Sequence, residues 1–227
     1  MSGFHSKSIA PGCRSLVLAL MVATSAAVAK DDLPDVDSNG LHRLHDTKAD
    51  LVYAKPGADL SNYTEVMLVD CFVQFKKNWE RDYNLGEVGL QGRVMDKDIE
   101  RIKKGVAEEF NKVFSEVLTK KGYKVVDAPA DGVLAVRPAI LNLDVTAPDL
   151  RRGGPSITWV QSAGSMTLYM ELYDAPKDEL IARVVDSRAD DHGMREVANS
   201  VTNRAAADRM LRSWAEQLAD HLGAVSQ

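Results

Sequence analysis

Between residues 97 and 121 the apolar side chains Ile99, Ile102, Val106, Phe110, Val113, Val117 and Leu118 recur mostly at three- and four-residue steps. That spacing places them on one stripe of a 3.6-residue period and predicts a long amphipathic helix. Asp96 is placed to cap its start, and Gly122 can close its end in the left-handed conformation. Glu100/Lys104, Glu108/Lys112 and Glu116/Lys120 set acid four residues before base, which predicts a solvated outer face. A helix with one apolar stripe needs a second layer to cover it, so the rest of the chain must supply one.

The other segments supply strands and a second helix. Residues 66–75 are rich in β-branched and aromatic side chains and predict a strand, followed by a loop over 76–95. Residues 123–126 predict a short strand and 133–145 a long one. Pro138 lies inside the long strand, and because proline cannot donate to a ladder it suggests an edge or a bulge there. After a loop over 146–163, Met166, Leu168, Met170 and Leu172 alternate with Thr167, Tyr169, Glu171 and Tyr173, the two-residue period of a strand. Residues 174–179 turn it into a further strand over 180–186. Residues 195–222 predict a closing helix with Val201, Ala205, Leu211, Trp214, Leu218 and Leu222 on its buried stripe. The predicted class is α+β: a mainly antiparallel sheet with two amphipathic helices packed on one face.

Residues 1–29 carry Lys7 and Arg14, no acid, an apolar run from Leu16 to Ala23, and the small-x-small sequence Ala27-Val28-Ala29. This is the order of a secretory signal peptide, with cleavage expected after Ala29 and a retained N-terminal anchor as the alternative. The run is shorter than the roughly 20 residues of a membrane span. Residues 30–50 read as a polar, partly disordered leader and 51–227 as a single domain. Cleavage would remove two cations and take the formal charge from −5 to −7, so no basic field favours nucleic acid. The expected compartment is the periplasm. Cys13 would leave with the signal, Lys30 would follow the cleaved bond, and a lipid anchor on cysteine is therefore not expected. Cys71, the remaining thiol, lies in an apolar run and reads as a small buried hydrophobe, with an intermolecular disulfide as the alternative.

No HExxH, P-loop, nucleophile elbow or post-strand GxGxxG is present, so no catalytic residue is assigned and no cofactor is expected. His42 and His45 form a weak metal-like pair beside the Asp-rich leader, more simply read as a solvated tail. Asp190-Asp191-His192 reads as a loop leading into the last helix. Two aromatic and arginine-bearing loops, one with Trp79, Arg81 and Tyr83 and one with Arg151, Arg152 and Trp159, are the candidate partner-binding residues. The alternative is that Trp79 and Trp159 plug the ends of the sheet.

The run Leu51-Val52-Tyr53-Ala54-Lys55-Pro56-Gly57-Ala58-Asp59-Leu60 with Tyr63 to Leu68, and Phe75-Lys76-Lys77-Asn78-Trp79, resemble the domain of unknown function 3313 family. Gly164 to Leu168, Tyr173-Asp174-Ala175, Glu179-Leu180-Ile181-Ala182 and Asp186-Ser187-Arg188 fit the same pattern, so the resemblance covers roughly residues 40–222. It implies an exported bacterial protein, in a family where many members look like lipoproteins, and supplies no catalytic residues. The element order is also similar to small periplasmic modules of envelope assembly systems, a likeness of fold alone. The expected function is a non-enzymatic binding or accessory module with an envelope protein as partner. The alternative is a small-ligand or metal-binding protein using His42, His45 or a pocket between sheet and helices.

Overall fold

The computed structural model describes residues 33–87, 89, 92–146, 148, 150, 158–198 and 200–223, with the backbone alone for 158–163 and 191–202. The elements run β1 (His42–Leu44), β2 (Leu51–Ala54), β3 (Glu65–Leu68), β4 (Phe72–Phe75), α1 (Trp79–Leu85), α2 (Asp96–Lys120), β5 (Lys124–Val125), β6 (Val133–Val145), β7 (Thr158–Asp174), β8 (Glu179–Ala198) and α3 (Ser200–His221). The fold is α+β around one sheet ordered β1-β2-β8-β7-β6-β3-β5, with β4 also paired to β6.

Two features of the expected class need correction. The sheet is mixed: β3 runs parallel to β5 and β6, and β4 parallel to β6, while the other pairs are antiparallel. The 25-residue α2 carries the chain back across the sheet before β5 and β6 form, and a helical crossover leaves strands parallel. There are also three helices among the described residues, because the expected 76–95 loop contains α1. The strand expected over 66–75 is two, broken at Val69-Asp70-Cys71. Pro138 sits in the middle of the sheet on β6. Its missing N–H falls opposite that break, between the pairs Leu68↔Val136 and Phe72↔Ala139. The irregularity foreseen at Pro138 therefore lies in the neighbouring strand, and β6 is not an edge.

The core is the layer between sheet and helices. Phe110, Val113, Phe114 and Leu118 of α2 are fully buried, and the Phe110 and Phe114 rings stack 3.9 Å apart. Asp98, rather than Asp96, closes the start of α2 by accepting the Met95 N–H at 3.1 Å, and Gly122 follows the helix at φ +96°. The outer charges of α2 pair differently from the expected i,i+4 set: Lys103 with Glu100 and Lys112 with Glu109 at three-residue steps. On α3 the buried stripe is Ala206, Leu211, Trp214, Ala215, Leu218, Ala219 and Leu222, whereas Ala205 is exposed. Strand β8 runs on through Asp190-Asp191-His192 to Ala198, so that segment is strand rather than loop, and helix begins at Ser200.

The opposite face of the sheet is closed by polar contacts. Tyr53, Arg183, Glu171 and Arg137 are register partners across β2, β8, β7 and β6. Glu171 accepts hydrogen bonds from Tyr169 at 2.6 Å, Tyr173 at 2.9 Å and Arg183 at 2.9 Å. Arg183 also pairs with Asp37 at 2.5 Å, and the Tyr53 hydroxyl donates to the Pro34 carbonyl at 2.7 Å. The polar stretch read as a partly disordered leader is thus held on the sheet from Pro34 onward, with Asp37 serving both Arg183 and the turn at Leu41, which is buried. Charges directly opposite one another across strands stabilise the pairing, which is why a polar sequence can hold a fixed place here.

Burial alone would raise the pKa of Glu171, but the hydrogen bonds from Tyr169, Tyr173 and Arg183 outweigh it and hold the carboxyl below the usual range. A depressed folded-state pKa contributes stability above the unfolded value, and that contribution is lost as pH falls through the folded one. Glu171→Gln is therefore expected to cost about 1.5–3 kcal/mol at neutral pH. Below the ordinary Glu range of about pH 4 the variant and parent converge, as read from urea midpoints against pH.

Candidate functional site

The helices do not cover the whole inner face of the sheet. Helix α3 packs on β7 and β8, and the sheet continues past it through β2 to β1. The uncovered region forms a cavity of about 400 Å³ with Leu168, Met170 and Leu172 of β7 and Ile181 and Val184 of β8 at its base. Trp214 and Leu218 of α3 make one wall, and Val52 and Ala54 of β2 another. Four alanines, Ala49, Ala54, Ala58 and Ala182, line it where larger side chains would occupy the space. Its size falls in the range of small-molecule sites, and its apolar lining with a few polar groups fits them too.

The polar lining residues are at the surface. Lys48, Asp59 and His221 are exposed and Thr47 and Gln217 half-buried, whereas Leu168, Met170, Leu172, Ile181 and Leu218 are buried. Asp59 is turned into its own chain, accepting from the Ser61 hydroxyl at 2.7 Å and the Ser61 N–H at 2.9 Å, bonds that hold its carboxyl below the usual range. His221 Nδ1 lies 2.7 Å from the Gln217 carbonyl in the last turn of α3. A carbonyl can only accept, so Nδ1 carries the proton and Nε2 is the second bonding atom of the ring.

The Trp214 wall is fixed from behind. Its ring N–H donates to the buried Asp186 carboxylate at 2.6 Å, which also accepts from Arg188 at 3.0 Å and the Asp50 N–H at 3.0 Å. Arg188 bonds Ser213 and lies 5.5 Å from the Trp214 ring centre. This buried polar unit was not foreseen, although Asp186 and Trp214 both stood on predicted elements.

A second space of about 440 Å³ lies between α2, α3 and the β6–β7 pair, under Ile102, Val106, Met166 and Met210. Charged residues at its rim pair with one another, Lys104 with Glu108 at 3.7 Å and Arg204 with Glu109 at 3.8 Å, while Asp144 pairs with Lys76 just outside it at 3.1 Å. Pro148, which also lines it, is flanked in the chain by residues 147 and 149, which are outside the described residues. At Gly164, φ +151°, a Cβ would stand 2.2 Å from the Asp144 carbonyl oxygen, so the β6–β7 crossing requires glycine here.

Of the sequence-predicted partner residues, Trp79, Arg81 and Tyr83 are described, and they do not share one exposed patch. Trp79 is buried, stacks on Phe75 at 4.2 Å and Tyr83 at 5.7 Å, and donates its ring N–H to the Val145 carbonyl at 3.3 Å. It closes the end of β6. Trp79→Phe keeps the stacking and removes the N–H bond, and is expected to lower stability by about 1 kcal/mol in urea unfolding. Arg81 is exposed and bonds its neighbour Asp82 at 2.7 Å, and Tyr83 is half-buried. Trp159 lies on β7, opposite Val197, instead of in the expected 146–163 loop, and its side chain is outside the described residues, as are Arg151 and Arg152.

His42 on β1 and His45 just after it are both exposed. Among the described residues no three His, Cys, Asp or Glu side chains stand close enough to share a metal ion. Asp190 is buried and bonds Arg209 at 2.9 Å; the side chains of Asp191 and His192 are outside the described residues. Burial pushes the Cys71 thiol up to about 12, a protonated and unreactive group at neutral pH. No described helix is long and apolar enough to cross a membrane.

Among solved structures, the chain is similar to the PelC dodecamer from Paraburkholderia phytofirmans, at 12% identity over 77% of this chain and 98% of that one, with a TM-score of 0.40. It is also similar to a DUF4136 family protein from Bacteroides thetaiotaomicron, at 14% identity over 82% and 98% with a TM-score of 0.36. A minor lipoprotein from Acinetobacter baumannii gives 9% identity over 70% and 94%, with a TM-score of 0.33. Likeness at this level carries no functional information. No curated protein matches the chain. The family model described as "Protein of unknown function (DUF3313)" matches residues 37–218, which takes in the sheet, the three helices and nearly all of the cavity lining; the chain belongs to the DUF3313 family.

Proposed function

We propose that this chain is an exported, non-enzymatic binding protein of the bacterial cell envelope that takes a small apolar ligand into the cavity beside α3. The observation that carries this reading is a space of about 400 Å³ floored by apolar side chains, with its charged residues at the surface. The export signal over residues 1–29 supports placement in the periplasm. Of the two functions expected from sequence, the small-ligand one has the better geometric support, with a sheet-and-helix pocket in place of the histidines. Titration with N-phenylnaphthylamine, an uncharged apolar fluorophore, is expected to give saturable binding at one site per chain. A linear, unsaturable signal would contradict the proposal.

A protein partner is favoured by one separate observation. Among the described residues no strand pairs with the outer edge of β4, and Phe72 on that strand is 55% exposed. An unpaired edge can accept a strand from another chain. A photo-cross-linking residue at position 72, used in cells, is expected to capture one envelope protein, with capture lost in a Phe72→Asp chain cross-linked through Gln74. Equal capture by both chains would contradict strand docking at β4.

A further inference from the structure

Resting on the cavity reading, we infer that its ligand is a single-chain amphiphile with a carboxylate head, the alkyl chain lying over Met170 and Val184 and the head group meeting Lys48 and His221. Three observations lead there. The first is the separation of polarity: the buried lining is apolar, and the charged lining residues are exposed at the rim. A purely apolar molecule would leave that polar rim without a function, whereas an amphiphile uses both.

The second is the charge balance at the rim. Asp59 is committed to Ser61 through two hydrogen bonds. Asp220 next to the rim bonds Lys121 at 2.9 Å, and Lys48 and His221 both lie near enough to act on its carboxyl, so the two residues share one side of the opening. Among the described residues Lys48 has no ion-pair partner within bonding distance, which leaves it to pair with an incoming anion. His221 sits at the C-terminal end of α3 with Nδ1 on the Gln217 carbonyl, and its Nε2 is the atom left for a ligand. An ammonium head would meet the like charge of Lys48 on this side of the rim.

The third is size. At roughly 30 Å³ per water-sized group, the space holds about a dozen such groups, which suits one medium alkyl chain and not two. Chain length should then register in affinity. Each methylene buried is worth about 0.8 kcal/mol, or about fourfold in Kd, until the cavity is full.

Calorimetric titration of the exported protein compares hexanoate, octanoate and decanoate with decanol and decylammonium, all below their micelle-forming concentrations. Expected are a rise of about fourfold per methylene and tighter binding of decanoate than of decanol. Lys48→Ala, at an exposed site that leaves folding intact, is expected to weaken decanoate about tenfold and leave decanol unchanged. Equal affinities for decanoate and decanol, or a preference for decylammonium, would overturn the head-group assignment while the apolar cavity reading stands. No binding of any chain, together with no saturable N-phenylnaphthylamine signal, would overturn both.

Discussion

Asp186→Ala is expected to lower the stability of the domain by about 3–5 kcal/mol, a large share of the roughly 5–15 kcal/mol that holds a domain folded. Asp186 is 5% exposed, and its carboxylate accepts from the neighbouring Arg188 guanidinium and from two donors distant in the chain, the Trp214 ring and the Asp50 N–H. Removing it leaves an indole N–H and a backbone N–H without their acceptor in a buried setting, and takes the counter-charge from Arg188. Asp186→Asn keeps the shape and one accepting oxygen, so it should cost less than half as much. Urea unfolding at neutral pH separates the three proteins by their midpoints, with unchanged slopes showing that the unfolded state is the same. Equal midpoints for Asp186→Ala and the parent would mean that the hydrogen-bonded unit contributes nothing to the fold. Because Trp214 is a wall of the cavity, the alanine variant should also loosen ligand binding under conditions where it remains folded.

The second large effect is on binding. Val184 lies half-buried at the base of the cavity on β8, and an indole in its place would occupy the space of several methylenes. Val184→Trp is expected to weaken N-phenylnaphthylamine about a hundredfold, the equivalent of three or four methylenes excluded at roughly 0.8 kcal/mol each. Overpacking costs about 1–3 kcal/mol, so the variant should keep its far-ultraviolet circular dichroism and cooperative unfolding. Ala54→Phe, on the β2 wall, fills the same space from the side and controls for local damage to β8. Parent-like affinity in both folded variants would place the ligand elsewhere.

How far these features can be read from sequence depends on the distance over which they are built. Helix α2 carries its own period and its own stop at Gly122, and β7 its own alternation, so both are legible locally. Helix α1 has seven residues, too few for a period, and its start at Asn78 is left-handed with no side-chain cap, so nothing in the run announces it. The parallel pairing of β3 and β4 with β6 is a matter of where α2 returns the chain, which local pattern does not encode. The segment around Asp37 looks like disorder because it is rich in polar aspartates, yet Asp37 has its partner in Arg183, 146 positions away. The cavity is further still from local reading: it exists because four alanines and the end of α3 leave space over β2 and β8. Trp79 is a further case. Its aromatic and charged neighbours suggest an interface, and the structure shows its ring stacked on Phe75 and bonded to the Val145 carbonyl, contacts that no local pattern announces.

A methyl-resolved NMR titration of the protein with N-phenylnaphthylamine tests the cavity assignment most directly. The ring current of a bound naphthyl group should shift the methyl signals of Met170, Ile181 and Val184 and leave Met210 and Ile102, at the second space between the helices, in place. Shifts confined to Met210 and Ile102, or no saturable shift at any methyl group, would contradict the account.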